Sequence, residues 1–248
     1  MKFKDGFKWW VLFFVVTPFI ESSGPTLREI LGLSDRTAHI IWAVGWVFCV
    51  AFVWWFGREF LKIRVVKNAE AVAPHKMLVV FLSTTKLLPE HCDKLEYDIV
   101  KDTEGRIDGF SWQQLLRAIV PHLGCLERLC IVPSTGKNGS EGQVEACRAW
   151  LKKYPRLGGV AIDAWEALDF EDIDGMLGSL KSHMIALKKN GFDYADVILD
   201  CTGGQKTTSI AATMLTTELE EMEFQYVGTG EPYRVVSFNI QSVQRPTL

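Results

Sequence analysis

The 248-residue sequence predicts an α/β protein, with an N-terminal transmembrane helical hairpin followed by a Rossmann-like domain that has a mostly parallel sheet and a C-terminal β-hairpin. Three observations carry that expectation. Residues 38–56 contain no Asp, Glu, Lys or Arg. Six of the nine tryptophans (Trp9, Trp10, Trp42, Trp46, Trp54 and Trp55) fall before residue 56, as membrane-interface aromatics do. From Met77 onward, short apolar runs alternate with helix-length amphipathic stretches, the pattern of a sheet covered on both faces.

The first apolar segment runs from Trp9 to Ile20, with Pro18 near its end. It is short for a bilayer, since twelve uncharged residues make roughly 18 Å of helix. It spans if Lys8 snorkels and the helix continues past Glu21; an interfacial helix and a cleaved signal peptide are the other two readings. Glu21 sits where a signal cleavage site wants a small residue. The second segment, Ala38 to Phe56, makes roughly 28 Å of helix, close to the hydrocarbon thickness. Helices are expected over about 7–22 and 37–57, within a membrane segment of residues 1–57.

Orientation follows from the basic residues. Lys2, Lys4 and Lys8 precede the first segment, and Arg58, Lys62, Arg64 and Lys67 follow the second, while the loop between carries only Arg28 and Arg36. Both termini and the C-terminal domain are therefore expected in the cytoplasm, in a multi-pass protein of the inner membrane. Residues 58–75 read as a basic linker and 76–248 as the cytoplasmic domain.

Within that domain the expected strands are Met77–Leu82, Leu129–Val132, Val160–Ile162, Val197–Leu199, Phe224–Val227 and Val235–Ile240. The expected helices are Trp112–Leu123, Glu141–Tyr154, Ile173–Lys189 and Thr207–Glu221. The last two strands, joined through "GTGEPY", read as an antiparallel hairpin at the sheet edge. Ligands of open α/β sheets bind beyond the carboxyl ends of the strands. Three loops rich in glycine and hydroxyl residues fall there: "STTK" (Ser83, Thr84, Thr85, Lys86), "PSTGKNGSEG" (with Ser134, Thr135, Gly136, Lys137) and "TGGQKTT" (Thr202, Gly203, Gly204, Gln205, Lys206, Thr207). Glycine lets backbone N–H groups approach a phosphate, lysine supplies charge, and the following helix start favours an anion.

Other chemistries fit poorly. A GxxxxGK[ST] loop fails in both lysine-bearing segments, and GxGxxG is absent. Six cysteines without CxxC or CxxH spacing indicate neither zinc nor a disulfide framework. A net charge of −3 provides no field to recruit DNA. "RAIVPH", Arg117 to His122, has the R-x4-H spacing of some ribonucleases but reads as a surface helix end. Asp172/Asp174 and Glu218–Glu223 read as solvated helix faces and ends. No catalytic residue and no metal site is expected.

The stretch "LDCTGGQKTTSIAA", together with "FLSTTK", resembles the CRISPR-associated Rossmann-fold (CARF) family, over residues 76–241. The resemblance implies a dimeric sensor of cyclic oligoadenylate, a second messenger of type III CRISPR systems, with Thr202, Gly203, Gly204 and Lys206 touching the ligand. Gln205 occupies a variable position of the motif. Cyclic tetra-adenylate is the expected ring because the resemblance implies it as the family's commoner ligand, and its symmetry would let a twofold dimer present each loop twice. Ser83, Thr84 and Thr85 would bond riboses or base edges, and Ser134 and Thr135 would close the rim. With a membrane segment where relatives carry a nuclease, the implied function is an antiviral membrane effector. Ligand binding to a homo-oligomer built from CARF dimers would rearrange the membrane helices, open a pore or perturb the lipid bilayer, and arrest growth. Two alternatives are a membrane-tethered ring nuclease that degrades the messenger and a membrane-anchored nucleotide-binding scaffold.

Overall fold

The structure, a computed structural model, describes Val47, Ala51 and residues 63–67, 72–219 and 221–242. The predicted membrane helices at 7–22 and 37–57 lie outside the described residues, apart from Val47 and Ala51. Among the described residues no helix is long and apolar enough to cross a membrane. A compact unit begins at Ile63 and contains the α/β domain.

Its sheet has seven strands: β1 (Ile63–Lys67), β2 (Met77–Phe81), β3 (Arg128–Val132), β4 (Ala161–Ala164), β5 (Val197–Asp200), β6 (Glu223–Val227) and β7 (Val235–Ser242). They lie in the order β1-β7-β6-β5-β2-β3-β4. The stretch from β6 to β4 is parallel, and β7 runs antiparallel between β6 and β1. The chain moves outward from β2 through β3 to β4, then returns to the other side of β2 for β5 and β6. The strand order thus reverses between β2 and β5, where an open α/β sheet leaves a crevice at its carboxyl edge.

Side-chain alternation builds two cores, one on each face. Leu78, Val80, Leu129, Ile131 and Ile198 pack with Leu116, Ile119, Trp150 and Leu151. Met77, Val79, Phe81, Cys130, Val132, Val197 and Leu199 pack with Leu180, Met184, Ala211 and Leu215. Helices α1 (Gln113–Ile119) and α2 (Val144–Leu151) therefore cover one face, and α3 (Ile173–Lys189) and α4 (Lys206–Glu218) the other. Each large aliphatic side chain buried this way contributes about 1.5–3 kcal/mol.

The six predicted strands and four predicted helices are all present. The first helix gives way to a 3-10 turn at Val120–His122, where Pro121 removes a backbone donor. Two differences concern the edge and the linker. Ile63–Lys67, read as linker, forms strand β1 against β7, so β1 rather than the β6–β7 hairpin closes the sheet. Val72 and His75, also read as linker, are buried.

Candidate functional site

The carboxyl ends of β3, β2, β5 and β6 bring the three glycine and hydroxyl loops to one edge of the sheet. The segment after β2 is central. Gln143, at the entry to α2, accepts from the Thr85 backbone N–H at 2.9 Å and donates to its carbonyl at 3.1 Å. Thr85 itself is 5% exposed, and its hydroxyl lies 3.0 Å from the Gly109 carbonyl and accepts from the Ser111 N–H at 3.2 Å. Ser83 offers its carbonyl to the Trp112 indole N–H at 2.9 Å, and Thr84 is exposed.

The loop after β3 is closed on itself. The Ser134 N–H donates to the Ser140 hydroxyl at 2.9 Å, and the Ser140 N–H donates back to the Ser134 hydroxyl at 3.0 Å. Gly139 fits only because it lacks a side chain: a Cβ there would come closer than 3.0 Å to the Ser134 and Thr135 carbonyl oxygens. Gly136 turns the chain with φ +96°, which glycine adopts at no steric cost. The tip left outward consists of Thr135, Gly136, Lys137 and Asn138, all exposed.

The turn after β5 presses against the end of β2. A Cβ on Gly203 would fall closer than 3.0 Å to the Phe81 carbonyl oxygen, and one on Gly204 would do the same to the Thr208 side chain. These two glycines are what let the "TGG" turn close over the strand-order reversal. Lys206 then opens α4 and is exposed, as is Gln205 before it.

The starts of α3 and α4 differ in kind. Helix α3 is capped by the Asp172 carboxylate, which accepts from the Gly175 N–H at 3.0 Å, and carries Asp174 in its first turn. Helix α4 has no side-chain cap and no acidic residue in its first turn. A helix end of this kind favours an anion.

Hydroxyls around this turn are used to hold it. The Thr202 hydroxyl donates to Asp200 Oδ2 at 3.0 Å and accepts from the Val227 N–H at 2.8 Å. Thr207 donates to the Phe170 carbonyl, and Thr208 to the Gln205 carbonyl at 2.6 Å. Thr85, Thr202 and Thr207 thus shape the loops, while Thr84, Thr135, Lys137, Gln205 and Lys206 stand outward.

Asp200 ends β5 as a buried carboxyl, 3% exposed. Burial pushes it up to about 6, against the pull of the Thr202 N–H at 3.0 Å, the Thr202 hydroxyl and the Gln225 amide at 3.2 Å. Gln225 in turn meets His122 at 2.8 Å, and burial pushes that imidazole down to about 4.

The "RAIVPH" segment corrects a sequence expectation. Arg117 and His122 are 4% and 0% exposed rather than a surface helix end. Arg117 donates to the Thr103 carbonyl at 3.0 Å and to the Gly105 carbonyl, and stacks 3.5 Å from the Tyr233 ring centre, tying the β6–β7 connection to α1. Sequence reasoning also passed over Gln225. Its one signal is a polar residue between Phe224 and Tyr226 in the predicted strand, and only the register sets it opposite Asp200.

No protein-family model matches the chain. An Aquifex aeolicus (strain VF5) protein described as "Uncharacterized protein" is 29% identical over 168 residues, a match covering 62% of this chain and 52% of that one. The chain spans about half the length of the curated relative it matches, at an identity that makes the two similar without assigning a function.

Proposed function

We propose that this protein senses a cyclic oligoadenylate at the carboxyl edge of its sheet and acts as a membrane effector. The observation that carries the reading is the turn after β5. Two glycines fold it onto the end of β2 at the strand-order reversal, beside an uncapped α4 that begins with an exposed lysine. A turn of this kind favours phosphate through backbone donors, helix field and lysine charge together. The resemblance of "LDCTGGQKTTSIAA" to the CARF motif supplies the ligand class, and cyclic tetra-adenylate is the ring proposed.

In this reading Gly203, Gly204, Lys206 and the first amides of α4 hold phosphate oxygens. Ser83, Thr84, Ser134, Thr135, Gly136, Lys137 and Gln205 line the approach, and Thr85, Thr202 and Thr207 keep the loops in shape. A homodimer presents the set twice to a ring of four phosphates. The residues ahead of the domain anchor it in the inner membrane, and ligand binding there opens a pore or perturbs the bilayer.

The effector half is tested with the full chain in liposomes loaded with a self-quenched dye. Cyclic tetra-adenylate is expected to release dye from wild-type vesicles and not from vesicles carrying Lys206→Ala. Binding without release excludes the effector role. The ring-nuclease alternative is separated by timed incubation, because a sensor returns the ring intact.

A further inference from the structure

A continuous hydrogen-bonded chain leaves the candidate site and crosses the interior to the segment ahead of β2. It starts at Thr202 and passes through Asp200, Gln225 and His122. It ends where the His75 N–H donates to His122 Nδ1 at 3.0 Å. Asp200 pairs with Val80 of β2, so the chain covers the five residues back to His75, roughly 16 Å of strand. The side chains in it after Thr202 are buried, Asp200 at 3% exposure and Gln225 and His122 at 0%, and His75, which joins through its backbone N–H, is 6% exposed.

The chain has only one consistent sense. Because the His75 N–H occupies Nδ1 of His122, the proton of the neutral imidazole is on Nε2, which donates to Gln225 Oε1. Gln225 then presents its NH2, and this donates to the Ala118 carbonyl at 3.0 Å and to Asp200 Oδ2 at 3.2 Å. The Thr202 hydroxyl supplies the third donor to the same carboxyl. No member can turn over without leaving a buried donor or acceptor unpaired.

We propose that His122, Gln225 and His75 are positioning residues that couple the Thr202 turn to residues 72–76. Its ligand-dependent part rests on the oligoadenylate reading, and the coupling itself does not. A ligand that shifts the Gly203–Gly204 turn, and with it the Thr202 hydroxyl, removes one donor from Asp200. The buried carboxyl then draws Gln225 closer, which weakens the bond to His122 and frees the imidazole to shift against the His75 amide. Residues 72–76 lie between β1 and β2 in the sequence, so the chain links the site at the carboxyl edge to the opposite end of β2.

The test is amide hydrogen exchange, resolved to single residues, on the full chain in detergent micelles. Thr202→Val removes the hydroxyl at constant shape, and Thr202→Ser returns it. Thr202→Val is expected to raise exchange at His75 about tenfold, the size of one lost net hydrogen bond. Exchange at Leu129 and Ile131 should stay unchanged, and Thr202→Ser should restore the wild-type rate at His75. An unchanged His75 overturns the proposal, and so does a His75 that rises only in step with Ile131, since that is general loosening. A second arm adds cyclic tetra-adenylate to the wild type, which is expected to change exchange at residues 203–206 and at His75 together. If residues 203–206 do not respond, the ligand reading fails while the variant comparison still decides the coupling. If they respond and His75 does not, the coupling fails.

Discussion

Gly203 and Phe81 are in contact across the strand-order reversal, with no room for a methyl group between them. A Cβ at 203 would meet the Phe81 carbonyl oxygen closer than 3.0 Å, and that oxygen belongs to a fully buried strand that has no freedom to yield. The turn that forms the candidate site is thereby fixed to the sheet rather than held out as a mobile loop.

Gly203→Ala should therefore be costly. Overpacking of this kind destabilises by about 1–3 kcal/mol. We expect a lower denaturation midpoint together with loss of cyclic tetra-adenylate binding. Wild-type stability and binding in this variant would show that the turn relaxes freely.

Lys206→Ala should separate binding from folding. The side chain is exposed at the start of α4, and surface substitutions usually stay within about 0.5 kcal/mol. Denaturation of wild type and variant should coincide, while ligand affinity falls by at least about tenfold, as expected when a charge-assisted contact is lost.

Thr85→Val tests the pin beneath the central loop. The buried hydroxyl lies within bonding distance of the Leu87 and Gly109 carbonyls and accepts from the Ser111 N–H. Removing it at constant shape should cost about 0.5–1.5 kcal/mol, the net worth of a hydrogen bond whose partners keep backbone or solvent contacts. Chemical denaturation measures it directly, and an unchanged midpoint would contradict the assignment.

Acidification should expose two opposed titrations. His122 is pushed down to about 4 by burial, so its neutral form stabilises the fold above pH 6.5. That contribution is lost as pH falls from 6.5 toward 4. Asp200 is pushed up to about 6, so its protonated form is favoured in the fold; stability from it is present below 3.8 and lost as pH rises through 6. At about 1.4 kcal/mol per pKa unit, each effect is about 3 kcal/mol, and the two nearly cancel between pH 6.5 and 4. Asp200→Asn should therefore lose stability on acidification more steeply than wild type, and His122→Gln should gain it. Denaturation midpoints at pH 7, 5.5 and 4 read this out, and parallel profiles for all three proteins would contradict it.

The parts that were legible in the sequence are those with local signals. Apolar runs such as "MLVVF" and "LCIV" mark buried parallel strands, whereas the Asp172 cap of α3 shows only in the structure. The glycine turn showed itself through its residue types. Strand β1 did not, because "IRVVK" sits in a basic context and gains its partner only from β7, some 170 residues away. His122 and Gln225 were equally hidden. A histidine at a helix end and a glutamine in a strand look ordinary until the fold supplies their partners, which lie 103 residues apart in the chain. Arg117 was misread for the same reason, since its acceptors are backbone carbonyls of a loop that no periodicity marks.

The most direct test of the central claim is calorimetric titration of the full chain in detergent with cyclic tri-, tetra- and hexa-adenylate, with Lys206→Ala as the comparison. The account predicts that cyclic tetra-adenylate binds the wild type and that the variant loses this binding. Absence of binding by all three rings, or equal binding by the variant, would contradict it.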